Sequence, residues 1–388
     1  MILEIVTRLN PSTRLKRAII LPYHRLPHVS TADPDRFFNF STPGAHEWWY
    51  FDAIGNDGRD VIVLVWYSAL PFDPAYGLAV RAHLKNPERK PIPNPTDYCA
   101  IGVSWYRDGK TIAYALNGFR RDDFLQRPDP FAVEIGGNHL ERISDEYRLR
   151  IDTPSVDGAH TIKAELRFVP ASVPAPVERE LGGEDEPHVW ILVAADSRVE
   201  GTISILGKRN SESLSFQGRG YHDHNAGSAD LGLSMRRWRW GRAHLKDRTE
   251  IYYQAEPLKG ESRSLWITCR DGRPEEIRES IRLESRGAID RNIFGVVDDR
   301  LISVADLGDS NGFDRTLLDC LDDGPFYRRR LARFHPKNGE GEDSIGICEV
   351  LQTNNIYRPL FNWMIPFRLK RPSRSHFFGK SVSLKPPA

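Results

Sequence analysis

The stretch HEWWYFDAIGNDGRDVIVLVWYSA, residues 46–69, gives the clearest indication of the fold. Two runs of aromatic and β-branched residues flank Asn-Asp-Gly at 56–58, a pattern that is typical of an antiparallel β-hairpin. Similar runs flank Asp-Gly at 108–109 and Gly-Gly-Asn at 136–138. Successive hairpins with few helical patterns predict an all-β chain whose antiparallel strands form barrels or sandwiches.

The chain has 388 residues, a length that favours about two domains. The strand patterns predict an irregular leader at 1–36, a first β domain at 37–215 and a second at 216–388. Residues 356–371 combine apolar and basic side chains, and Pro359 and Pro366 fit the first turn and the end of a short C-terminal helix. This helix would cap a barrel or the domain interface; the alternative is a basic amphipathic segment that touches a membrane.

The composition limits the classes of partner and compartment. The net charge of +1 provides no field that would favour nucleic acid, so we expect no nucleic-acid partner. The four cysteines form no CxxC pair and the N-terminus lacks a signal-peptide core, which together predict a cytoplasmic protein. Nine Trp, thirteen Tyr and eighteen Phe favour strands and a pocket for a large apolar molecule.

The segment GRGYHDHNAG, residues 218–227, concentrates the groups that could carry chemistry. In a strand, Tyr221, Asp223 and Asn225 would share one face, and His222 and His224 the other. Burial near aromatic rings raises a carboxyl pKa, so Asp223 is a candidate proton donor. The alternative is a polar turn whose Asp and Asn satisfy backbone groups.

Paired histidines also suggest a metal site, which needs at least a third ligand. His46, His83 and His244 are possible donors, but no spacing singles one out. We therefore predict no metal and no cofactor. The sequence also lacks a phosphate-binding P-loop, a G-x-S-x-G elbow, an HExxH motif and a strand-linked GxGxxG, which argues against nucleotide, serine-hydrolase and zincin chemistry.

Two aromatic segments could supply the walls of a site. In HEWWYFD, residues 46–52, Trp48 and Tyr50 share one strand face and Glu47 lies on the other. Core packing is the simpler role for these rings, but a carboxylate such as Glu47 is costly to bury without a partner or a proton. In RRWRWGRAHL, residues 236–245, the indoles of Trp238 and Trp240 share a face and could stabilise a cation.

Alternatively, the two indoles form a Trp/Arg stacking ladder on a barrel wall. Tyr253, on the strand that follows, could offer a phenol to the same cavity.

Together these segments resemble the carotenoid 1,2-hydratase (hydroxyneurosporene synthase) family and its lipocalin-like relatives. The matching pieces are HEWWYFDA, GRGYHDHNAG with RRWRWGRA, and GICEVLQTNNIYRPLFNWMIPFR at 346–368. The resemblance implies two lipocalin-like β domains and a cofactor-free, acid-initiated reaction on a carbon–carbon double bond of a long isoprenoid or polyketide. The family's central motif falls on Gly220, Tyr221, Asp223, Asn225 and Gly227, which favours Asp223 as the acid.

The leading hypothesis is therefore a hydratase. Asp223, assisted by Tyr221, protonates a terminal alkene, and water activated by His224, Tyr253 or Glu47 then adds to the cation. The predicted substrate-binding residues are Trp48, Tyr50, His222, Asn225, Trp238 and Trp240. One alternative is a cyclase or isomerase of polyenes or polyketides, including Diels–Alder catalysts, and another is a non-catalytic carrier of an apolar ligand.

Overall fold

The hairpin at residues 46–69 begins the first of two sheets. In the computed structural model, β1 spans His46–Gly55 and β2 spans Asp60–Ala69. Gly58 in the connecting turn has a φ of 72°, a value that glycine adopts without steric cost. The structure describes residues 33–173, 175–183, 188–207, 211–279, 281–306, 312–337, 341–358, 364 and 367–371.

The first sheet contains twelve antiparallel strands. The other ten are β3 Ala100–Arg107, β4 Lys110–Gly118, β5 Phe124–Pro128, β6 Phe131–Ile135, β7 Asn138–Ile143, β8 Glu146–Pro154, β9 His160–Pro170, β10 Val177–Glu180, β11 His188–Gly207 and β12 Ser211–Gly227. Their order is β4-β3-β2-β1-β12-β11-β9-β8-β7-β6-β5, with β10 paired to β11. The hairpin strand β1 therefore pairs on its other side with β12, which carries the GRGYHDHNAG segment.

The second sheet contains nine antiparallel strands. They are β13 Met235–His244, β14 Thr249–Pro257, β15 Arg263–Arg270, β16 Arg273–Glu279, β17 Arg282–Arg291, β18 Val297–Ala305, β19 Gly312–Asp323, β20 Tyr327–Pro336 and β21 Ser344–Leu351. Their order is β16-β15-β14-β13-β21-β20-β19-β18-β17. The two sheets are curled, and the predicted all-β class is confirmed.

Helices are few among the described residues. They are α1 Pro74–Lys85, α2 Leu231–Ser234 and 3₁₀ turns at Pro95–Tyr98, Arg121–Asp123 and Thr353–Asn355. The longest, α1, lies in the first half of the chain, where Asp73 caps its N-terminus and Pro74 occupies the first turn. None of the helices in these ranges has the length and apolar character to span a bilayer. The predicted C-terminal helix falls largely on 359–366, of which only Met364 is described.

The first sheet extends beyond the predicted domain boundary. β12 continues from Ser211 to Gly227 without interruption and pairs with β1 along residues 218–227. The boundary at 215/216 therefore falls inside a strand, and the change of sheet lies between Gly227 and Met235. The division into two independent domains stays a prediction.

The central strands are buried on both faces, which explains why β1 and β2 are apolar throughout. All ten residues of β1 are buried. Trp49 and Phe51 pack in the core of the first sheet, whereas Trp48 and Tyr50 pack with Trp238 of β13 in a second core. This second core contains residues of both sheets, and the candidate site lies within it.

An ion pair links the two sheets. Asp52 on β1 and Arg242 on β13 are both fully buried, and Arg242 Nη2 donates to Asp52 Oδ1. Removing one partner of a buried pair leaves an uncompensated charge, so we expect Arg242→Met to lower the free energy of unfolding by about 3–5 kcal/mol. Urea denaturation followed by Trp fluorescence would measure this loss.

A matched control is Arg59→Met, which breaks the exposed pair between Arg59 and Asp108. Water screens this pair, so the variant should unfold at nearly the same urea concentration as the parent protein. Equal stability of the two variants would contradict the structural role of the buried pair.

Candidate active site

Asp223 lies on the face of β12 that points into the core between the sheets. Tyr221 and Asn225 share this face, as the strand alternation predicts. The Tyr221 hydroxyl donates to Asp223 Oδ2 at 2.8 Å, and Asn225 Nδ2 donates to Oδ1 at 2.9 Å. A third donor is Trp190 Nε1 on β11, 2.9 Å from Oδ2. These hydrogen bonds hold the carboxyl group in one orientation.

The surroundings of Asp223 favour its protonated form. The residue is 5% exposed, and this burial raises the pKa of its carboxyl to about 7. Hydrogen bonds from Trp190 and Tyr221 lower the pKa, whereas the charges of Glu349 and Asp52 raise it further. A carboxyl group with a pKa near 7 can hold a proton at neutral pH and release it to a substrate, as general acid catalysis requires.

A small pocket of about 30 Å³ lies next to this carboxyl group. Trp48 and Trp238 are stacked, with ring centroids 6.1 Å apart. Tyr50 and Trp240 meet edge to face, with ring centroids 5.7 Å apart. The pocket is lined by Trp48, Tyr50, Asp223, Asn225, Trp238, Trp240, Tyr253 and Glu349. The structure thus brings together seven side chains that the sequence nominated.

A larger cavity of about 620 Å³ shares part of this wall. Its volume lies in the range that suits an apolar small molecule. Much of its lining is apolar, including Val63, Val65, Leu70, Phe72, Leu321 and Phe326. Trp48, Tyr50, Trp238 and Glu349 line both cavities. A long apolar chain held in the larger cavity could therefore present one end to Asp223.

Glu47, His222 and His224 lie on the opposite face of the first sheet. His224 Nε2 is 2.8 Å from Glu47 Oε1, and His222 Nε2 is 2.8 Å from Asp35 Oδ1. His224 stacks on Trp49, with ring centroids 5.0 Å apart. The sheet separates these groups from Asp223, so none of the three lines its pocket.

The burial of Glu47 is now explained by its partners. Burial raises the pKa of Glu47, and hydrogen bonding to His224 opposes this shift. The backbone NH of Phe38 also donates to the carboxylate, at 3.1 Å from Oε1. The His224 contact to the Pro34 carbonyl, at 3.1 Å, completes a cluster that attaches residues 34–38 to the sheet.

Two histidines lie close behind the aromatic wall of the pocket. His46 Nε2 and His188 Nδ1 are 3.3 Å apart, and His188 stacks on Trp238 with centroids 6.0 Å apart. Burial lowers the pKa of His46 to about 4 and that of His188 to about 3. Both rings are therefore neutral at pH 7, so they add no positive charge beside a site that could hold a cation.

Sequence reasoning missed Trp190 and Glu349. Trp190 lies in the run HVWILV, where an aromatic residue looks like ordinary core. Glu349 in GICEVL had a usable signal, because an isolated acid within an apolar strand needs a partner when it is buried. Arg329 on β20 provides it, with Nε 2.8 Å from Glu349 Oε1.

No metal-binding arrangement emerges among the described residues. The side chains of His, Cys, Asp and Glu in these ranges form no group of three or more that could hold an ion. His46, His83 and His244, the possible additional ligands, do not join His222 and His224 in such a group.

Two curated proteins are similar to this chain over most of its length. The curated hydroxyneurosporene dehydrogenase of Chlorobaculum tepidum is 28% identical over 345 residues, which cover 86% of this chain and 89% of that protein. The acyclic carotenoid 1,2-hydratase of Thiocapsa roseopersicina is 27% identical over 355 residues, which cover 89% of this chain and 79% of that protein.

Solved structures share the fold. A structure attributed to AttH of Nitrosomonas europaea superposes with a TM-score of 0.54 at 14% identity, covering 79% of this chain and 92% of that one. CghA superposes with a TM-score of 0.53 at 11% identity, covering 80% and 88%. These likenesses confirm the predicted lipocalin-like architecture. The family model described as carotenoid hydratase CrtC matches residues 72–378, well over half of the sequence, so this chain belongs to the CrtC carotenoid hydratase family.

Proposed function

We propose that this protein is a hydratase that adds water to a terminal carbon–carbon double bond of an acyclic carotenoid or a related isoprenoid. The observation that carries the proposal is the carboxyl group of Asp223, which borders an aromatic pocket next to a large apolar cavity. Family membership and the acyclic carotenoid 1,2-hydratase relatives support the reaction and the substrate class.

The first step is proton transfer from Asp223 to the less substituted carbon of the alkene. The π electrons form the new carbon–hydrogen bond, and a tertiary cation remains on the neighbouring carbon. Tyr221, Trp190 and Asn225 orient the acid through the three hydrogen bonds to its oxygens. The same bonds stabilise the carboxylate that forms as the proton leaves.

The aromatic wall stabilises the cation until water adds. Trp48, Trp238 and Trp240 are 7%, 6% and 4% exposed, so their rings are shielded from bulk water. A desolvated cation over an aromatic face gains about 2 kcal/mol or more. Exclusion of bulk solvent strengthens this interaction, so a short-lived cation on a chain in the larger cavity would be stabilised at the wall that the two cavities share.

The burial of Asp223 favours a catalyst over a non-catalytic carrier. A carrier needs apolar walls but gains nothing from an acid in its wall, and burial without an ion-pair partner makes a carboxyl group hold a proton near neutral pH. Within the described residues no cation forms a salt bridge with Asp223, although it is buried at the cavity wall. We infer that the acid is retained for chemistry.

Incubation with lycopene, an acyclic carotenoid that ends in trisubstituted double bonds, tests the proposal. Purified protein without added cofactor should form a tertiary alcohol that is heavier than lycopene by one water. In water labelled with heavy oxygen, mass spectrometry should find the label in the alcohol. An isomer of unchanged mass would instead indicate a cyclase or isomerase, and binding without turnover would indicate a carrier.

The cellular location belongs to the same proposal. We place the protein in the cytoplasm, with peripheral membrane contact through the basic apolar segment around residues 356–371. The exposed Phe367 lines the larger cavity together with Arg368, an arrangement that supports contact with a source of lipophilic substrate.

A further inference from the structure

The small pocket beside Asp223 has the size of a water site. A cavity needs roughly 10–15 Å³ to hold one water molecule. The pocket measures about 30 Å³, enough for one or two waters and too little for a carotenoid end group. Its shared wall with the larger cavity places such a water next to a chain bound there.

Trp240 presents an unused hydrogen-bond donor to this pocket. The residue is 4% exposed, its Nε1 makes no well-formed hydrogen bond among the described residues, and the Tyr221 hydroxyl is the side chain that interacts with it. The neighbouring Tyr221 hydroxyl already donates to Asp223. A buried donor without an acceptor costs roughly 1–3 kcal/mol. A water in the pocket would accept from Trp240 and remove this cost.

Glu349 presents the matching acceptor. The Tyr50 hydroxyl donates to Glu349 Oε1 at 2.9 Å, and Arg329 Nε donates to the same oxygen at 2.8 Å. These bonds fix the side chain through Oε1, and the Tyr327 hydroxyl also interacts with the carboxylate. Glu349 pairs with Trp240 across β13 and β21, so the acceptor and the indole donor lie on adjacent strands.

We propose that this pocket binds the water that adds to the substrate, and that Glu349 is the base that takes its proton. The inference rests on the proposed hydratase function and assigns the second half of that reaction. Asp223 and Glu349 then form an acid and base pair: Asp223 has no ion-pair partner among the described residues, whereas Glu349 is paired with Arg329. Such a difference in environment is how two carboxyl groups take opposite roles.

The step balances. The water oxygen forms the new carbon–oxygen bond with the tertiary cation, and one of its protons passes from the resulting oxonium to Glu349. Return of that proton to Asp223 restores both groups. The net change is addition of one water to one double bond, without an oxidant, a reductant or any further reactant.

Glu349→Gln tests this assignment, because the amide keeps the size of the side chain and can accept from Arg329 but cannot take the proton. With lycopene in heavy water, we expect alcohol formation to fall at least about a hundredfold, since a general base contributes about 10²–10⁴ in rate. Deuterium should still enter the recovered lycopene, because Asp223 still protonates the alkene and the cation loses a proton again.

Trp240→Phe is the second variant, which removes the indole NH with the five-membered ring that carries it and keeps a phenyl ring in the wall. It should lower kcat for alcohol formation with little change in KM, and it should also retain deuterium exchange. The matched controls are Glu250→Gln and Trp266→Phe. Trp266 Nε1 donates to Glu250 Oε2 at 2.6 Å in the second sheet, and neither residue lines a described cavity. These controls should keep the parental ratio of alcohol to deuterium exchange.

Two results would overturn the inference. The first is alcohol formation at the parental rate by folded Glu349→Gln protein. The second is parallel loss of alcohol and deuterium exchange in both the Glu349 and Trp240 variants, which would assign these residues to the protonation step. Failure of the hydratase proposal looks different, because the parent protein itself would then form no alcohol from lycopene.

Discussion

Asp223→Asn is expected to lower kcat for hydration at least about a hundredfold, the lower end of what a lost general acid costs. Asn keeps the shape of the side chain and can still accept hydrogen bonds from Trp190 and Tyr221, so the fold and lycopene binding should persist. Trp fluorescence quenching would measure binding, and chromatography would measure turnover. Deuterium exchange into lycopene should be lost together with alcohol formation.

The control for this variant comes from the opposite face of the same strand. Replacing both His222 and His224 by Gln removes their contacts to Asp35 and Glu47, so stability should fall. The kcat of the folded fraction should change far less than in Asp223→Asn. Normal turnover by Asp223→Asn together with an inactive double-histidine variant would contradict this assignment. It would place the chemistry on the face of β12 that carries His222 and His224.

The pH dependence of kcat should follow the acid form of Asp223. Burial raises the pKa of this carboxyl to about 7, so the proton is present below pH 7 and is lost as the pH rises through that value. A reaction that needs the protonated acid should slow by about tenfold per pH unit above the pKa. Between pH 7 and pH 9 we expect kcat to fall by on the order of a hundredfold.

Initial rates at saturating lycopene would define this profile, with circular dichroism at each pH to show that the protein stays folded. The residual activity of Asp223→Asn should lack the decline above pH 7. A parental kcat that is constant from pH 7 to pH 9, or that increases with pH, would contradict donation of a proton from Asp223.

Strand alternation predicted much of the site from sequence. Tyr221, Asp223 and Asn225 lie on one face of β12 because side chains alternate along a strand, whatever the rest of the fold. The same rule placed Trp48 with Tyr50. Local period and turn residues also suffice to predict the antiparallel all-β class, since each hairpin is specified by its own sequence.

Contacts between distant segments could not be predicted in this way. Glu349 meets Tyr50 across 299 residues of sequence, because the second sheet packs its β21 near β1. Likewise, Asp35 lay in a predicted irregular leader but is fully buried against His222. The alternation of side chains along a strand predicts which face of the sheet Glu47 and His224 occupy. It does not predict that the sheet separates this face from the pocket beside Asp223. These facts depend on how whole sheets pack.

The most direct test of this account is the protonation state of Asp223 itself. Infrared difference spectra of the parent protein minus Asp223→Asn, recorded between pH 5 and pH 9, isolate the carbonyl stretch of its protonated carboxyl group. We expect a protonated-carboxyl band at pH 5 that disappears with a midpoint at about pH 7. A carboxylate at every pH in this range would contradict the claim that the buried Asp223 holds the proton that begins the reaction.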